Sequence, residues 1–217
     1  MEVLAHDQTV MSAVGPADQA KAARAACGAL RAAQVVAVPT DTVYGIAALP
    51  DLPGATARLF ALKGRAAHVP IAVLCADAQQ ALGLANAAAV GDEVRRIARR
   101  LWPGPLTLVL RRRPGLGYAL GEPRDTIGVR CPDHDLVRAI AGDVGPIATT
   151  SANHHGEPTP PTAEEVAATF GDGVALVIDG GPCAAPPSTV VDATGAAWKV
   201  LRQGDVPLAA VERAARP

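Results

Sequence analysis

Apolar residues in this chain fall into short continuous runs broken by polar or Pro/Gly-rich turns, with a few stretches at helical spacing between them. Val35-Val36-Ala37-Val38 is a run of the kind buried on both faces of a sheet, and Pro39 closes it. Residues 71–74, 106–110, 126–130, 146–150, 174–178, 188–192 and 198–201 read as further strands. Helices are expected over 17–33, where Ala26 and Leu30 share a face, over 53–62 with Pro53 at the start, and over 76–85 and 91–101. Asp133 is a plausible N-cap for a helix over 133–141. Thr162-Ala163-Glu164-Glu165 resembles a capping box opening a helix that runs to Phe170, and a short helix starts at Leu208. Trp102-Pro103-Gly104-Pro105 forces a turn, because two prolines bracket a glycine. Several strands follow one another with no helix between them, so the sheet should be mixed, and the class α/β.

Composition narrows the picture. A chain of 217 residues fits one large domain. Residues 1–16 read as a leader with room for a short strand, 17–206 as the working domain and 207–217 as a tail. Aromatics make up 3% against 49% hydrophobic residues, so the core must be built from Ala, Val, Leu and Ile. Lys and Arg number 20 against 21 Asp and Glu, a net charge of −1, which argues against wholesale coating by nucleic acid. The four cysteines are scattered with no C-x-x-C, which favours reduced thiols over a zinc site or disulfides. No apolar run approaches the roughly 18 to 20 residues of a membrane span. The start of the chain lacks a basic segment before an apolar one, so no signal peptide is expected. A cytoplasmic protein follows.

Polar residues at the strand ends carry the candidate chemistry. Thr40, Asp41 and Thr42 come where the run 35–38 leaves the sheet, a position that suits a ligand and equally suits a polar turn. Lys63 and Arg65 flank Gly64. If a helix ends there, the two cations can converge on one anion; otherwise they balance a helix C-terminus. Arg130 ends a strand and can grip a carboxylate in bidentate fashion or form a surface ion pair. Thr149, Ser151 and Asn153 follow an apolar strand and can serve phosphate oxygens or cap a turn. There is no P-loop, His154-His155 has no companion ligand at metal spacing, and Ser151 is not in a G-x-S-x-G elbow. The arginines at 95, 96, 99, 100 and 111–113 read as solvated faces able to touch RNA phosphate.

As an ordered set these motifs resemble the YrdC-like family, the threonylcarbamoyl-AMP synthases of tRNA modification. The matching segments are Pro39-Thr-Asp-Thr-Val-Tyr-Gly45, Lys63-Gly-Arg65 with Pro70-Ile71, Trp102-Pro-Gly-Pro-Leu-Thr107, Gly128-Val-Arg-Cys-Pro132, Thr150-Ser-Ala-Asn153, Pro187-Ser-Thr-Val-Val-Asp192 and Arg202-Gln-Gly204. The resemblance implies an open, twisted mixed sheet sandwich with flanking helices around a large concave basic cavity. It implies a nucleotidyltransferase that makes threonylcarbamoyl-AMP and pyrophosphate from L-threonine, bicarbonate and ATP. A magnesium ion held mainly by the ATP phosphates is implied, with no protein metal site. Carried over by motif, Lys63 and Arg65 are the catalytic cations; Lys63, Arg65, Thr42, Thr149, Ser151, Asn153 and Arg202 hold ATP; Thr40, Arg130 and Ser188 hold threonine. A separate transferase complex would use the product on adenosine 37 of ANN-decoding tRNAs, and weak binding of tRNA or double-stranded RNA is compatible with the basic surface.

Ala66 stands where the family often has proline, Ile71 where leucine is frequent and Thr149 where serine is common; none of these removes a charge. The chain looks like the short form, without the long form's extra C-terminal domain. The chemistry suits such a site. A threonine carbamate and a triphosphate are both anions, so bringing them together needs cations more than an acid or base. Two alternatives remain: a carbamoyl-adenylate-forming module, which would use carbamoyl phosphate, and a non-catalytic module that binds RNA or the ribosome.

Overall fold

A computed structural model describes residues 9–66 and 68–217 of the chain. Ten strands form one mixed sheet: β1 (Thr9–Ser12), β2 (Val36–Val38), β3 (Gly45–Ala48), β4 (Ala72–Leu74), β5 (Leu106–Arg111), β6 (Thr126–Arg130), β7 (Ile147–Ser151), β8 (Leu176–Asp179), β9 (Thr189–Asp192) and β10 (Lys199–Arg202). Their order across the sheet is β1-β8-β2-β3-β7-β4-β6-β5-β9-β10. Parallel pairs (β1/β8, β2/β8, β4/β6, β5/β9) alternate irregularly with antiparallel ones. The helices are α1 (Pro16–Arg31), α2 (Ala55–Lys63), α3 (Ala78–Gly83), α4 (Asp92–Leu101), α5 (Asp135–Val144), α6 (Ala163–Phe170) and α7 (Leu208–Ala215).

The continuous apolar strands are two-sided because both sheet faces are covered. Val36, Val38, Ala47, Leu74, Ile147 and Ile178 pack with Ala22, Ala26 and Leu30 of α1 and with Leu136, Val137 and Ile140 of α5. Their neighbours in sequence, Ala37, Ile46, Ala48, Val73, Ala148 and Val177, belong to the other core layer with residues of α2, α4, α6 and α7. This is the period-two alternation of a strand, with an apolar residue required at every position.

Three local readings change. β3 was not expected; it inserts between β2 and β7 and so joins the two motif-bearing strands. The N-cap of α5 is His134, with no side-chain cap bond, and Asp133 lies one residue outside the helix boundary. The arginine-rich face of α4 is not simply solvated. Arg96 Nε donates to the Ala215 carbonyl at 2.5 Å, and Arg100 Nη1 donates to the Ala214 carbonyl at 3.1 Å and the Arg216 carbonyl at 2.7 Å. These cations neutralise the negative end of α7. Arg111 pairs with Asp125 at 2.6 Å, Arg112 is buried and Arg113 donates to the Gly83 carbonyl. Thr162 does cap α6, accepting from the Glu165 N–H. Residues 1–8 of the leader lie outside the described residues, whereas 9–12 pair with β8 and α7 buries Val211. Among the described residues no helix is long and apolar enough to cross a membrane.

Candidate functional site

The ends of β3, β6, β7, β9 and β10, with the turn after β2 and the loop after α2, surround a cavity of about 450 Å³. Thr40, Thr42, Arg65, Arg130, Thr149, Ser151, Ser188 and Arg202 all line it. Lys63 and Asn153 do not; they stand immediately behind Ser151.

Helix α2 ends at Lys63 because Gly64 adopts the left-handed region, φ 61°. Gly64 N–H bonds the Ala61 carbonyl and Arg65 N–H bonds the Phe60 carbonyl, the paired contacts of a Schellman cap. The chain then swings away from the helix axis and carries Arg65 to the cavity wall. Lys63 instead points inward, 3% exposed. Its Nζ donates to the Ser151 carbonyl at 2.8 Å, Ser151 Oγ at 2.9 Å and Asn153 Oδ1 at 2.5 Å. An ammonium has three donors, and all three are used on neutral oxygens. Burial, and after it the nearby Arg65 guanidinium, push Lys63 down to about 8. The two cations therefore sit on the same wall but at different depths. A phosphate reaches Lys63 only by taking the place of one of its protein acceptors.

Arg65 is half-buried. Its Nη2 donates to the Pro70 carbonyl at 2.8 Å, and its buried Nε has no acceptor. Arg202 folds back on β9, donating through Nε to the Ser188 carbonyl at 2.9 Å and through Nη2 to Ser188 Oγ at 3.0 Å. Ser188 Oγ also lies 2.9 Å from Thr107 Oγ1. Desolvation lowers the pKa of both Arg65 and Arg202, and for Arg202 the guanidiniums of Arg130 and Arg65 lower it further. Three arginines thus share one field.

Arg130 differs from them in having a counter-ion. Its Nη2 pairs with Asp41 Oδ1 at 2.5 Å, Nη1 donates to Thr42 Oγ1 at 3.1 Å and Nε to the Gly104 carbonyl at 3.1 Å. Thr40 holds the turn that presents these groups: its hydroxyl donates to the Val43 carbonyl at 2.6 Å and accepts from the Thr42 N–H. The turn reading of this segment therefore holds, and the same turn places Thr40 and Thr42 on the cavity wall. Thr149 Oγ1 donates to the Ile147 carbonyl, and its methyl lies where a Cβ on Gly45 would come to 2.7 Å, which requires glycine there.

Two polar residues of the site, Asp41 and Thr107, were present in the motifs but carried no assigned role. Thr107 stands out only as a hydroxyl inside an apolar strand, and Asp41 only by its partner. Asp41 Oδ2 and His134 Nδ1 are both buried without a hydrogen-bond partner; burial lowers the pKa of His134, with Asp41 opposing. Among the described residues, no group of three or more His, Cys, Asp or Glu could hold a metal ion.

Residues 28–204 match the family Sua5_yciO_yrdC, described as telomere recombination. A relative in Mycobacterium tuberculosis is 39% identical over 192 residues, covering 88% of this chain and 88% of that protein. A Pyrococcus abyssi protein named threonylcarbamoyl-AMP synthase is 38% identical over 192 residues, covering 88% of this chain and 56% of its own length. The crystal structure of P. abyssi Sua5 complexed with L-threonine matches with a TM-score of 0.87 and 34% identity, over 95% of this chain and 61% of that one. The chain therefore spans less than two thirds of the archaeal protein and most of the mycobacterial one.

Proposed function

The chain belongs to the Sua5_yciO_yrdC family, and from that premise we propose that it is an L-threonylcarbamoyladenylate synthase. The threonine amine and bicarbonate give a carbamate and water. A carbamate oxygen then attacks the α-phosphate of ATP, forming the mixed anhydride as the bond to pyrophosphate breaks. The observation that carries this reading is the convergence of three arginines on one cavity, of which, among the described residues, only Arg130 is neutralised by a carboxylate. Such a wall favours the meeting of two anions and holds the developing charge on the phosphoryl oxygens.

Arg130, fixed by Asp41 and flanked by Thr40 and Thr42, would receive the threonine carboxylate on its remaining donors, with Ser188 across the cavity. Arg65 would face the phosphates with the guanidinium donors that Pro70 does not take, and Arg202 would join it by releasing Ser188 Oγ. Lys63 would act from behind, holding Ser151 and Asn153 in place and adding its charge to the phosphate side. Magnesium would arrive on the triphosphate. Asp192 lines the cavity, with Oδ1 accepting from the Thr194 N–H and hydroxyl. The product, a reactive anhydride, would pass to a separate transferase acting on tRNA.

Pyrophosphate release from ATP and bicarbonate tests this, with L-threonine, L-serine, carbamoyl phosphate or nothing added. Release that requires L-threonine and bicarbonate supports the synthase. Release only with carbamoyl phosphate moves the chain to the carbamoyl-adenylate class, and no release from folded protein removes the enzyme reading.

A further inference from the structure

A second cavity, of about 470 Å³, lies against α2. The loop around 120–124 serves both spaces: Pro123 lines the first, and Gly121, Glu122 and Arg124 line the second. Arg112, only 9% exposed, also lines the second cavity. Its Nη2 donates to the Tyr118 carbonyl, and its Nε is buried with no acceptor. No carboxylate contacts it among the described residues. Burial lowers its pKa, and the next contribution comes from another cation, Arg124. Arg124 itself meets Glu122 at 2.8 Å in an exposed pair, of the kind that contributes little to stability. The walls thus carry two cations and one acid, and the acid is spent on the outer arginine.

A second feature points the same way. Thr56 and Ala57, in the first turn of α2, line the cavity, and among the described residues their N–H groups have no acceptor. A helix start of this kind favours an anion. The apolar part of the wall includes Phe60, Leu116, Tyr118 and Leu120. A buried guanidinium without a counter-ion is costly to keep, and an arriving anion supplies what is missing.

We propose that this cavity is a separate binding site for a small phosphate-bearing ligand, its phosphate held by Arg112 and Arg124 at the start of α2. The test is an NMR titration of the whole protein, following the Nε–Hε resonance of each arginine, with the Arg112 signal assigned by its loss in Arg112→Lys. The probes are inorganic phosphate, pyrophosphate, AMP and tRNA at constant ionic strength. The expected result is a saturable shift of the Arg112 resonance. In Ala57→Glu, which sets a carboxylate at the exposed rim, the same shift should need about tenfold more ligand, while Arg65 and Arg202 titrate as before. Tighter binding of AMP than of phosphate would assign a nucleotide; equal binding would assign the phosphate group alone. An Arg112 signal that no probe moves, that moves only with tRNA, or that titrates identically in Ala57→Glu overturns the proposal.

Discussion

Two buried cations flank the main cavity, and they are kept in opposite ways. Lys63 is surrounded by neutral oxygens from Ser151 and Asn153, with no carboxylate in contact among the described residues. Arg130 is locked to Asp41, with both side chains largely buried. Each pairing spans about ninety residues of sequence, Lys63 with Asn153 and Arg130 with Asp41. The difference separates two tasks that charge alone would merge. A cation already matched by a carboxylate contributes shape and direction, as recognition of a small amino acid requires. A cation left without a counter-ion holds its charge for an anion that arrives from outside. On this account the Arg130 end selects and the Lys63–Arg65 end attracts.

The largest effect should come from breaking the matched pair. Asp41→Ala leaves Arg130 buried and alone, and denaturant unfolding should show a loss of about 3–5 kcal/mol. Asp41→Asn should recover part of it, because the amide oxygen still accepts from the guanidinium. A loss below about 1 kcal/mol would mean that Arg130 does not depend on its partner. Arg65→Ala should do the reverse. Its one acceptor among the described residues is the Pro70 carbonyl, so the unfolding midpoint should barely move. Pyrophosphate release should fall by about 10²–10³, the usual loss for a donor aimed at developing charge.

Titration sharpens the contrast further. Lys63 has a folded value of about 8 against an ordinary 10.5. The unfolded chain therefore holds more protons than the folded one between these values, and stability should rise with pH across that window. Nucleotide affinity should move the opposite way, because binding favours the charged ammonium. It should be flat below pH 8 and fall above it by up to about tenfold per pH unit. Lys63→Arg should abolish the decline. Affinity that stays flat to pH 10 in the unmutated protein would show that Lys63 does not sense the nucleotide. The smallest effect belongs to Ser188→Ala, which removes the hydroxyl shared by Arg202 and Thr107. It should cost about 1 kcal/mol in unfolding and raise the KM for threonine more than it lowers kcat.

Most of the fold was legible because the buried strands are continuous apolar runs closed by Pro, Gly or polar residues. β3 escaped for a physical reason. Gly45-Ile46-Ala47-Ala48 has one β-branched residue and weak strand propensity, and it is a strand because β2 and β7 hold it from both sides. The glycine that weakens it locally is needed where Thr149 crosses. At the site, the residue types and their order were readable, including the αL glycine that turns Arg65 off the helix. Partnership was not. Nothing near Arg130 in sequence names Asp41, and nothing near Lys63 shows that its three donors are taken. Arg96 and Arg100 of α4 misled in the same way, since their acceptors are carbonyls at the far end of the chain, whereas Arg95 and Arg99 are exposed as expected.

The central claim is that one cavity joins threonine, bicarbonate and ATP, and isotope-labelled bicarbonate tests it most directly. With L-threonine and ATP present, the label should enter a single product that also contains AMP; omission of either substrate should abolish it, and Arg65→Ala should slow it by about 10²–10³. Label that enters an adenylate without threonine, or an unlabelled adenylate made from carbamoyl phosphate, would contradict the account.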